Sequence, residues 1–97
     1  MIFTNDYPNL FHFFAGYFPD ADFNNLTDEE VVANYIDDCN RSEFSKKELQ
    51  HTKEELDILI NNIDNYWLQV GDEANRYFEN QQETLIWLTM IKRELNK

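Results

Sequence analysis

Ninety-seven residues suffice for one domain and not for two. Nineteen Asp and Glu against eight Lys and Arg give a net charge of −11, which excludes nucleic acid and anionic membrane surfaces as partners and favours a basic macromolecule. An apolar share of 42 % with 15 % aromatics excludes simple disorder, and two Gly with two Pro are too few for a turn-rich sheet protein. The expectation is an all-α domain spanning residues 1–97. It would be a small bundle of four to six helices, with a long third helix and a C-terminal helix.

Pro8 suits the first turn of a helix, and Leu10, Phe11, Phe13, Phe14 and Tyr17 recur at helical spacing. A short aromatic helix over about residues 8–16 follows, closed by Gly16. Residues 17–26, with Pro19 and a run of Asp and Asn, read as a loop. Thr27-Asp28-Glu29-Glu30 matches a capping box and opens a second helix whose stripe is Val31, Val32, Tyr35 and Ile36, ending near Cys39-Asn40. Ser42 or Ser45 starts the third. There Leu49, Leu56 and Ile63 are seven apart, with Leu59 and Ile60 between them. Thr52-x-x-Glu55 offers a new cap and hence a break near His51, but one continuous helix is preferred. The pattern weakens after Asp64. One turn over Tyr66–Val70 closed by Gly71 is predicted, then a loop from Asp72 to Asn80. The last helix covers residues 82–95 on Leu85, Leu88, Ile91 and Leu95, with Trp87 beside them and cations at its end.

Catalytic chemistry finds few candidates. Cys39, His12 and His51 are the only thiol and imidazoles, and no motif accompanies them. No glycine-rich phosphate loop or nucleophile elbow is present. A small hydrolase using Cys39 with a histidine is therefore the weakest of the functional alternatives, and no catalytic residue is assigned. Asp20, Asp22, Asn24 and Asp28 occupy positions 1, 3, 5 and 9 of a calcium-loop pattern. Asn25 stands where Gly should turn, and Val31 where a bidentate Glu should close the shell, so no metal ligand is assigned either. No cofactor is expected.

Charge placement is more informative. Residues 1–40 hold eight acids and no base. Capping accounts for Thr27 and Glu30, leaving Asp20, Asp22, Asp37 and Asp38, with Glu29 next, as candidates to meet a partner's cations. Tyr17, Phe23 and Tyr35 lie near them in sequence and would supply apolar contact area. The lone Cys39 suits a reducing compartment. No Lys or Arg precedes Arg41, so no positively charged leader is expected, and a cytoplasmic location follows.

Residues 7–18, Tyr-Pro-Asn-Leu-Phe-His-Phe-Phe-Ala-Gly-Tyr-Phe, followed by Asp20-x-Asp22 and by Asp28-Glu29-Glu30-Val31-Val32-Ala33, resemble one family of contact-dependent growth inhibition immunity proteins (CdiI type). Fainter likenesses are the Leu56–Ile63 stretch, Leu68-x-x-Gly71 and Trp87-Leu88. The resemblance implies a helical, non-enzymatic protein that neutralises the C-terminal toxin domain of its cognate CdiA partner. Such toxins are often nucleases acting on RNA. The partner would be basic; nucleic acid, membrane and small molecules would not be bound directly. The competing expectation is an acidic nucleic-acid mimic or adaptor of anti-restriction type, binding several basic proteins. Acids concentrated at one end of the chain argue against it.

Overall fold

The computed structural model describes residues 2–97. Six helices make up the described chain: α1 (Phe3–Asp6), α2 (Pro8–Phe23), α3 (Asp28–Cys39), α4 (Glu43–Asn61), α5 (Ile63–Ala74) and α6 (Gln81–Leu95). The all-α expectation holds. Helices α3, α4 and α6 start within a residue of where the pattern places them, because each has a side-chain cap. Thr27 Oγ1 accepts from Glu30 N while Glu30 accepts from Thr27 N, a complete capping box. Ser42 accepts from Ser45 N, and Asn80 from Glu83 N.

Three expectations fail. Helix α2 does not stop at Gly16 but runs through Pro19 to Phe23. Proline inside a helix costs about 3 kcal/mol. Against that, the added turns place Phe18 and Ala21 fully in the core, and burying a Phe side chain contributes about 1.5–3 kcal/mol by itself. Both Pro19 and the residue four before it reach solvent, so the carbonyl that Pro19 leaves without an N–H has access to water. The second failure concerns the third helix. Residues Leu49, Leu56 and Ile63 are all buried, yet a C-cap at Asn62 separates Ile63 into α5. The third is that α5 is a full helix through Gly71 to Ala74, not a single turn.

Neither glycine ends a helix. Asn25 and Asn75 do, both in the left-handed conformation at φ 59° and 55°. In each case the next backbone N–H reaches back across the turn, Leu26 to the Ala21 carbonyl (3.0 Å) and Arg76 to the Gly71 carbonyl (2.9 Å). Asparagine tolerates this region better than other residues with a Cβ, so the two turns were encoded, in a residue other than glycine.

Helix α2 packs on α1, α3, α4 and α5, while α6 packs on α3, α4 and α5. Rings fill the space between α2 and its neighbours. Phe13 stacks on Tyr35 with centroids 4.1 Å apart, and Phe14 and Phe18 meet Trp87 at 5.4 and 5.2 Å. Thr52 is buried in α4 and forms a 2.7 Å hydrogen bond with the Tyr35 hydroxyl, leaving no unpaired polar side-chain atom in the described core.

Candidate functional site: an acidic groove between two helices

Because α2 extends beyond Gly16, its second half packs beside α3, and the two helices enclose an open groove of about 370 Å³. Tyr17, Asp20, Asn34, Asp37, Asp38 and Arg41 line it together with Gly16 and Leu26. Asp20 comes from α2. Asp37 and Asp38 come from the last turn of α3, where a helix carries its partial negative charge. Carboxylates there oppose the dipole, and no basic residue occupies that turn. Local helix stability therefore gives no reason for Asp37.

Asp38 is the only one of the three carboxylates held in place. It accepts from the Tyr17 hydroxyl at 2.7 Å and lies 3.5 Å from the Arg41 guanidinium. Burial pushes the Tyr17 phenol up, and the bond to Asp38 pushes it further, so it remains a neutral donor at any physiological pH. The side chains of Asp20 and Asp37 have no hydrogen-bond or ion-pair partner among the described residues, and both residues are exposed. The groove thus offers two uncommitted carboxylates, a third fixed by an aromatic hydroxyl, and one cation at its rim.

Of the predicted site residues, Tyr17, Asp20, Asp37 and Asp38 meet here. Glu29 is exposed in the first turn of α3, outside the groove lining. Two others need correction. Tyr35 is 1 % exposed and belongs to the core, stacked on Phe13, so its ring offers no surface to a partner. Asp22 is committed within the molecule, with Oδ2 accepting from Arg76 at 2.8 Å and from Asn75 at 2.9 Å. Phe23 is exposed but lies at the end of α2 outside the groove.

Arg76 also donates to Asp28, which in turn accepts from the Trp87 indole N–H at 2.8 Å. Although burial opposes the charge on Arg76, the hydrogen bonds to Asp28 and Asp22 outweigh it and hold the guanidinium firmly protonated. The calcium-loop pattern is thereby dismantled. Asp20 and Asp22 are helical, Asp22 and Asp28 share a guanidinium, and no group of acids, His or Cys among the described residues is arranged to hold a metal. Cys39 is buried, and burial pushes its thiol up, away from the reactive thiolate. His12 is an exposed neighbour of Glu48 at 3.1 Å.

Sequence reading missed Asn34 and Arg41 as groove residues. Asn34 precedes Asp37 and Asp38 by three and four positions, which on a helix is the same face, so the signal was present. Arg41 ends the base-free segment, and nothing along the chain marks it as part of that segment's surface. Among the described residues, no helix is long and apolar enough to cross a membrane. Comparison of the chain with protein-family models, with curated proteins and with solved structures finds no match.

Proposed function

We propose that this protein is a non-catalytic immunity protein that binds and neutralises a basic toxin domain, the C-terminal domain of a contact-dependent growth inhibition toxin, in the cytoplasm of the cell that makes both. One observation carries the reading. Asp20 and Asp37 stand exposed and unpaired beside Asp38 in a single groove, and for Asp37 the helix end makes that charge locally unfavourable. The resemblance of residues 7–36 to immunity proteins supports it from the side of the sequence.

A toxin that acts on RNA carries cations where phosphates bind, and carboxylates in the groove occupy those cations in place of substrate. The net charge of −11 steers the encounter. Oppositely charged proteins reach association rates near 10⁸ M⁻¹s⁻¹ at low salt, against about 10⁵–10⁶ without steering. Inhibition then needs only that the complex outlive the toxin's access to RNA.

The test is co-expression with a candidate toxin domain, scored by growth. The intact chain should rescue. The Asp20→Lys, Asp37→Lys double variant should associate at least tenfold more slowly at low salt and lose most of its salt dependence, as rapid-mixing fluorescence would read. Unchanged association would place the contact elsewhere. Capture of several salt-labile basic proteins, with no rescue, would favour the acidic mimic instead.

A further inference from the structure

Apolar side chains at the surface gather on the α6 face around Leu85, Ile86 and Met90, beside the cation Arg93, and at one corner where no free cation stands. Trp67 and Leu68 of α5 and Tyr77 and Phe78 of the following loop line a cleft of about 210 Å³, with Gly71 and Asp72 beside them. Leu68 is 65 % exposed and Tyr77 84 %. Phe23, 90 % exposed, adjoins Asp22, whose carboxylate is bonded to the same loop through Asn75 and Arg76.

The corner is pre-shaped. A Cβ at position 71 would stand 2.8 Å from the Arg76 carbonyl oxygen, so glycine is what lets the loop lie against α5. Asn75 turns the chain in the left-handed conformation, and Arg76 pins the loop to Asp22 and Asp28 while lying 5.3 Å over the Phe18 ring. A surface already ordered loses little entropy on binding.

Its electrostatics select the occupant. Residues 22–28 and 64–83 hold seven acids and one base, Arg76, which is fully engaged by two of those acids. An apolar centre with a charged rim is the anatomy of a protein interface, and here Asp72 lines the cleft while Arg76 beside it is already neutralised by Asp22 and Asp28.

We propose that the corner is a second contact surface for a basic protein. An aliphatic or aromatic side chain of the partner enters between Leu68 and Tyr77, and flanking Lys or Arg meet Asp72 and its acidic neighbours. This rests on the reading that the partner is basic. The two surfaces then act on different rates. The groove's unpaired carboxylates hasten encounter, and the corner's apolar burial sets how long the complex lasts.

The probe is a synthetic peptide of Lys-Leu-Lys repeats, titrated into the full chain and followed by NMR, beside a counterpart with Glu for Lys. The Lys peptide should shift the Leu68 methyl and Tyr77 ring resonances, and the Glu peptide should not. The Leu68→Ser, Tyr77→Ser double variant, altered only at exposed side chains, should weaken binding at least tenfold, whereas Ile86→Ser on α6 should leave it unchanged. Equal response to both peptides, shifts confined to the α2–α3 groove, or indifference to the double variant would each overturn the proposal. So would concentration-dependent shifts of Leu68 and Tyr77 without peptide, which would make a second copy the occupant. Loss of peptide binding with growth rescue intact removes the corner alone; failed rescue with peptide binding intact removes the toxin reading and leaves the corner.

Discussion

Glu55 accepts from the backbone N–H groups of Asn9 and Leu10, both at 3.0 Å, and from the Asn9 side chain at 2.6 Å. Tyr7 supplies no side-chain cap to α2, so a carboxylate from α4 fills the place that a local Ser or Asp would fill elsewhere. Replacing Glu55 by Ala should cost about 0.5–2 kcal/mol in urea unfolding, in line with lost N-caps, and Gln should recover part of it. An unchanged midpoint would mean water caps α2 equally well. Sequence reading offers Glu55 only as a cap of its own helix, because a contact between distant parts of the chain leaves no local trace. Thr27 and Glu30, three apart, were legible for the opposite reason.

At the scale of elements, the two glycines have opposite roles. Gly16 lies inside α2 with nothing within 4 Å of where a Cβ would stand, whereas a Cβ on Gly71 would meet a backbone oxygen at 2.8 Å. Gly16→Ala should therefore stabilise by about 0.5–1 kcal/mol, the helix-propensity difference. Gly71→Ala should lower the thermal midpoint and, by nuclear Overhauser contacts, move the 76–78 segment off α5. If both substitutions shift stability in the same direction, the close approach at Gly71 is not limiting. Sequence reading used both glycines as helix ends, since a glycine's spacing tells nothing of what approaches it. Pro19 misled in the same way: its local penalty is visible in sequence, while the burial of Phe18 and Ala21 that offsets it is not.

Across the whole molecule, the charge excess works against compactness. Nineteen acids face eight bases, and several ion pairs are solvent-exposed: Lys46 with Glu43, Arg41 with Asp38, and Lys92 with Asp57. Exposed pairs contribute little, typically about 0–1 kcal/mol each, and like-charge repulsion extends over a Debye length of about 10 Å at 0.1 M salt. Raising sodium chloride should thus raise the urea midpoint, and a fall would show that the ion pairs outweigh the repulsion. A protein under such strain gains from meeting a cationic partner, which relieves it.

Composition and periodicity by themselves determined the helical class, four of the helix starts, most of the core stripe and the acidic bias of the first forty residues, because caps, i to i+4 spacing and net charge are local or additive quantities. Tertiary structure alone decided how those acids are used. It brought Asp20 to Asp37 and Asp38 and assigned Asp22 to Arg76. Whether a carboxylate is free or paired, and whether a ring is buried or exposed, depends on which side chains from distant parts of the chain come within a few ångströms. No spacing along the chain specifies that.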